Sequence, residues 1–162
     1  KDYPLAVSFW HSDVDDQFDF SGSYFRLEVK STTTGVRNHN FSSHQIPGNV
    51  PEKTFVASVQ IVRVENGSSL KDLLNLLRPK LDQSQNAKIN DILYRTLNVP
   101  VELVSEYQID LEATLTGIKL LRGVDIPSPE PTQGVISMNW LANLNESPGL
   151  TSFYKNFFED HV

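Results

Sequence analysis

The spacing of apolar residues changes several times along the 162-residue chain, and each change marks a predicted element. "FDF" (18–20) and "YFRLEVK" (24–30) alternate around Ser21-Gly22-Ser23, which predicts two short strands in a hairpin-like pair. A polar stretch from Ser31 to Asn40 follows, then the segment "NFSSHQI" and the turn signal Pro47-Gly48-Asn49-Val50-Pro51. Residues 54–64, "TFVASVQIVRV", are apolar on both faces and predict a central strand covered on two sides, ended by Asn66-Gly67.

Helical spacing then takes over. Ser69 with Asp72 forms a capping-box pattern ahead of Leu70, Leu73, Leu74, Leu77 and Leu81. Asp82 with Gln85 repeats it ahead of Ile89, Ile92, Leu93 and Leu97, so a helical hairpin is predicted over about 69–97. Beyond Asn98-Val99-Pro100, residues 107–116 alternate and predict a half-exposed strand. The loop "DIPSPEPTQG" leads to a last strand in "VISMNWLANL", and "TSFYKNFFED" reads as a terminal helix. Strands, a helical hairpin and added C-terminal strands make a mixed, α+β-like α/β fold with no internal repeat.

Composition narrows the class. The length predicts a single domain over residues 1–162, and 39% hydrophobic with 21% charged residues fits a globular chain. No apolar run reaches the roughly 20 residues that span a bilayer, and "KDYPLAVSFW" is no signal peptide, so no membrane and a cytoplasmic location are expected. Three sequons, at Asn40, Asn66 and Asn145, are the only support for a secreted β-rich binding module. The chain has no cysteine, which excludes disulfides and thiolate chemistry. A net charge of −6 opposes non-specific polyanion binding unless a local basic groove, a cation or a basic partner offsets it.

Candidate chemistry concentrates in residues 19–30. Alternation puts Phe25, Leu27 and Val29 on one face, expected to anchor the strand in the core. Glu28 and Lys30 then share the other face, roughly 7 Å apart along the strand. A return across Gly22 would bring Asp19 beside Glu28, where two carboxylates and water suit Mg²⁺ and a lysine can position the attacking water. The same residues also fit the solvated face of an edge strand bearing an ordinary ion pair.

Other clusters carry less. Asp13, Asp15 and Asp16 suggest a calcium loop but lack its glycine and distal glutamate. Ser42 and Ser43 beside His44 have no nucleophile elbow, and no phosphate-binding glycine loop is present. Backbone contacts to nucleic acid are open to Arg26, Lys53, Lys71, Arg78, Lys80, Lys88 and Arg95, or these are solvated faces.

"DF" followed by "FRLEVKST" resembles the core of the PD-(D/E)xK nuclease superfamily. With "AVSFWHSDVDDQFDF", "HNFSSHQI", the leucine-rich helix and "DIPSP", the chain is most similar to a PD-(D/E)xK family of unknown function found near restriction and phage-defence systems. The resemblance implies a restriction-endonuclease-like core sheet, with Asp19 and Glu28 as metal ligands and Asp19, Glu28 and Lys30 as the catalytic set. Ser31, His39, His44 and Gln45 would line the cleft against substrate. It further implies a Mg²⁺- or Mn²⁺-dependent DNA endonuclease acting in defence, as a homodimer or with partner subunits such as an ATPase. The alternative is an inactive nuclease-fold subunit with a structural or DNA-binding role. The superfamily places a helix before the first core strand, and the residues before Asp19 give no such signal. The chain is therefore expected to be a C-terminal fragment lacking that helix.

Overall fold

A computed structural model describes residues 2–11, 17–46, 53–97, 107–130 and 132–150. Helix α1 (Tyr3–Phe9) opens it, capped by the Asp2 side chain on the Leu5 N–H at 3.0 Å, with Pro4 in its first turn. This helix occupies the segment that gave no helical signal in the sequence.

Strands β1 (Phe20–Ser21), β2 (Arg26–Thr32), β4 (Thr54–Gln60) and β7 (Lys119–Arg122) form one sheet in the order β1-β2-β4-β7. β1 pairs antiparallel with β2, as the sequence predicts for the hairpin, while β2 and β4 are parallel and β7 returns antiparallel on β4. β4 has the double-sided burial expected of a central strand, with Phe55 and Val56 both in the core.

The apolar run of 54–64 does not stay one strand. It breaks after Gln60, and β5 (Arg63–Ser69) runs on through Asn66-Gly67 to pair with β6 (Gln108–Ile109) around a bulge where Arg63 and Ser68 both face Ile109. Gly67 is what permits this, because a Cβ there would strike the Ile109 carbonyl.

The helical hairpin forms as predicted. α2 (Leu70–Leu77) carries the full Ser69/Asp72 capping box, and a 3₁₀ turn (Arg78–Lys80) leads to α3 (Gln83–Leu97), where Asp82 and Gln85 cap reciprocally at 2.8 and 3.0 Å. Leu74 and Ile89 bury against Val7 of α1, with Trp10, Leu70, Leu77, Leu81 and Leu93 around them.

Residues 111–116 are a correction. The predicted strand is helix α4 (Leu111–Thr116), because the Asp110 side chain caps the Ala113 N–H at 2.9 Å. Thr114 points inward, its Oγ1 accepting the Val62 N–H at 3.1 Å, while Leu115 is exposed, so the apolar alternation did not report the buried face. The last predicted strand is β8 (Asn139–Asn143), which pairs with β3 (Asn38–Ser42).

The β3–β8 ribbon supplies the second layer. Phe41, Ala142 and Leu144 meet Val56 and Leu121 of the sheet, with Ile46 and Ile126 completing the cluster. The predicted acidic loop at 12–16, the turn at 47–51 and the terminal helix at 151–160 lie outside the described residues. Among the described residues no helix is long and apolar enough to cross a membrane.

Candidate active site

Glu28 lies on β2 opposite Val56 of β4, and Val56 lies opposite Leu121 of β7, so Glu28 shares the sheet face that the β3–β8 ribbon covers. The expected orientation of the strand is therefore corrected: Glu28 is 5% exposed and Val29 37%, the reverse of an apolar anchor with a charged outer face. Phe25 instead packs edge-on against Phe9 at 5.2 Å, and Leu27 pairs with buried Phe55. A charged face can be covered here because the ribbon brings its own polar partners to it.

Those partners are specific. Lys30 Nζ lies 2.7 Å from Glu28 Oε1, and Gln45 donates from Nε2 to the same oxygen at 2.6 Å. Gln45 sits on the turn after β3, its N–H on the Ser42 carbonyl at 3.1 Å and its Oε1 3.4 Å from Lys30 Nζ. The ammonium also lies 5.6 Å from the centroid of the Phe41 ring. Burial pushes the Glu28 carboxyl up from its ordinary value; the Lys30 hydrogen bond and charge pull the other way, and the charge of Asp19 adds to the rise.

Asp19 is fixed at the approach to β1. Its carbonyl accepts the His11 N–H at 2.9 Å and its Oδ2 accepts the Val29 N–H at 2.7 Å, so the carboxylate is hydrogen-bonded to the backbone of the strand that carries Glu28. Asp19 Oδ1 and Glu28 Oε2 carry no hydrogen bond among the described residues.

Of the residues expected to meet substrate, Gln45 joins the site directly. His39 lies just behind it, buried, with Nε2 2.8 Å from the Oγ of Ser58, the residue opposite Lys30 on β4. Burial, then the charges of Arg37 and Lys30, lower the His39 pKa and keep the ring neutral. Ser31 is exposed and, adjacent to Lys30 on the strand, points to the opposite face. His44 is exposed on the Gln45 turn.

Sequence reasoning missed Arg37 and Ser58. Arg37 is buried and donates to the Ser58 carbonyl at 2.7 Å, to Ser58 Oγ at 2.9 Å, to Gln60 Oε1 at 3.1 Å and to the Gly117 carbonyl. A serine inside the apolar run "FVASV" was the available signal.

The donor set is hard and acidic. Among the described residues no group of three or more His, Asp or Glu converges to hold an ion, and the pair Asp19 and Glu28 has the character Mg²⁺ takes when water fills the rest of its shell. Each carboxylate has an oxygen without a hydrogen bond among the described residues.

A mixed sheet with an aspartate beside one strand and Glu-x-Lys on the next is consistent with the core of the PD-(D/E)XK class of nuclease-like proteins. A family model described as "Putative PD-(D/E)XK family member (DUF4420)" matches residues 2–115, and the chain belongs to that family. No curated protein and no solved structure matches the chain.

Proposed function

We propose that this protein is a Mg²⁺- or Mn²⁺-dependent DNA endonuclease of a restriction or phage-defence system, acting in the cytoplasm as a homodimer or with partner subunits. The observation that carries the reading is the Glu28–Lys30 ion pair on one strand with the Asp19 carboxylate hydrogen-bonded to the Val29 N–H between them. Asp19 and Glu28 would hold the cation, which supplies Lewis-acid stabilisation of the charge that builds on the phosphate. Lys30 orients the attacking water and meets negative charge on the phosphate oxygens. Gln45 holds Glu28 and Lys30 in register, and Phe41 with the β3–β8 ribbon limits water around them.

The enclosure of Glu28 and the net charge of −6 favour a second reading, a nuclease-fold subunit that binds or scaffolds without turnover. Nicking of supercoiled plasmid by the full-length protein, with its genomic neighbours added, separates the two. Cleavage that needs Mg²⁺ or Mn²⁺ and is lost in Lys30→Ala and Asp19→Ala supports the enzyme. No cleavage of any nucleic acid under these conditions overturns it.

A further inference from the structure

At the start of β2 and β4, where Arg26 faces Thr54, a pocket of about 430 Å³ opens between Tyr24, Phe25, Arg26, Lys53 and Thr54. It follows from the hairpin turn: Gly22 lets the turn press onto Phe25, since a Cβ there would lie 2.8 Å from that ring. Tyr24 is left 68% exposed, with Lys53 Nζ 5.1 Å from its ring centroid. Arg26 stands over the buried Phe18 ring at 5.7 Å, next in sequence to Asp19, and shares its face of β2 with Glu28 about 7 Å along the strand. Thr54, 1% exposed, closes the wall with an Oγ1 that has no hydrogen-bond partner among the described residues.

Each feature fits one chemistry. An exposed aromatic ring is a stacking surface for a base, and two cations in a chain of charge −6 are local attraction for a phosphate. The volume falls within the roughly 300–1,000 Å³ of small-ligand sites. We propose that this pocket binds one unpaired nucleotide of a DNA strand, its base on Tyr24 and its phosphate between Lys53 and Arg26, next to the phosphate presented to Glu28 and Lys30. The proposal rests on the nuclease reading for its substrate, but binding tests it independently of cleavage.

The experiment is fluorescence anisotropy of the full-length protein with a labelled thymidine strand of about ten nucleotides, a length within the span of one single-strand site. A blunt duplex and free thymidine monophosphate serve as competitors, with divalent cation chelated. The strand is expected to bind more tightly than either competitor. Tyr24→Ala and Lys53→Gln each weaken it about tenfold, and Tyr24→Phe restores stacking and affinity. Tyr24 is exposed, so its removal leaves the core in place. Unchanged strand affinity in both Tyr24→Ala and Lys53→Gln overturns the pocket even if the plasmid is nicked, and monophosphate competing on a par with the strand reassigns it to a free nucleotide and overturns it as well. Strand binding that Tyr24→Ala abolishes, in a protein that never cleaves, upholds the pocket and removes only the nuclease reading.

Discussion

Lys30 Nζ sits 2.7 Å from Glu28 Oε1, on the strand face that the β3–β8 ribbon covers, and at 21% side-chain exposure the lysine is the more open of the two. The pair is thus held at the border of the core, with its cation toward the outside. Lys30→Ala removes the group proposed to meet the phosphate, and nicking is expected to fall by about 10²–10⁴-fold. DNA binding, read by anisotropy, is expected to change by less than about tenfold, since one phosphate contact among several is lost. Equal losses in binding and in cleavage would make Lys30 a docking residue only.

Glu28 is where stability and chemistry should conflict. Its folded pKa is raised by burial, so the folded state holds its proton more tightly than the unfolded chain does. The stabilising contribution is complete below the ordinary glutamate value of about 4.3 and is lost as pH rises through the raised folded value. Glu28→Gln keeps an acceptor for Gln45 and carries no charge to desolvate, while Lys30 is open enough to turn its ammonium to water. Thermal melts should therefore show no gap between variant and wild type near pH 4. Near pH 8 the variant should melt above wild type, at the expense of cleavage. A variant less stable at every pH would mean that Lys30 depends on the carboxylate.

Asp19 combines a structural and a proposed metal role, and two substitutions separate them. Asp19→Ala deletes the acceptor for the Val29 N–H and is expected to cost about 1 kcal/mol without any metal. Asp19→Asn keeps an oxygen there and should lie within about 0.5 kcal/mol of wild type. Mn²⁺ should raise the wild-type Tm, by an amount that grows with ion concentration, and should raise neither variant's. An Asp19→Asn protein stabilised by Mn²⁺ as fully as wild type would remove Asp19 from the ligand set.

What the sequence disclosed was local. The β1–β2 return across Gly22 and both helix starts were legible because Ser69 with Asp72 and Asp82 with Gln85 are signals complete within four residues. The strand reading held only at Gln108–Ile109 and failed over 111–116 on equally local grounds, since the Asp110 cap outweighed the alternation of apolar positions. The orientation of β2 could not be read locally at all. It depends on β3 meeting β8 about a hundred residues later in the chain, which sets Gln45 against Glu28 and Phe41 beside Lys30, and periodicity along β2 carries no trace of that partner. The candidate trio was therefore legible as residues, while its enclosure and its support by Arg37, His39 and Ser58 were not.

His39 predicts an acid limb. With its folded pKa lowered, the ring's contribution is complete above the ordinary histidine value of about 6.5 and declines as pH falls from there toward the folded value. Melts of the wild type between about pH 7 and pH 5 should show this decline, and His39→Gln, whose amide keeps a hydrogen-bonding group for Ser58, should flatten it. An unchanged slope in the variant would place the acid limb on other groups.

Arg37 ties three parts of the fold behind the site: β4 through Ser58 and Gln60, the end of α4 through the Gly117 carbonyl, and His39 through their shared Ser58 hydroxyl. Its planar fork serves these acceptors at once, which a single ammonium cannot do. Arg37→Met leaves buried carbonyls without donors and is expected to cost about 3 kcal/mol or more, a fall of roughly 6–12 °C in Tm. Arg37→Lys should recover less than half of that. Because Arg37 makes no contact with Glu28 or Asp19 among the described residues, each folded variant should keep its dependence on Mg²⁺ or Mn²⁺ when assayed well below its Tm. Full rescue by lysine would show that charge alone, and not the fork, holds Ser58 behind Lys30.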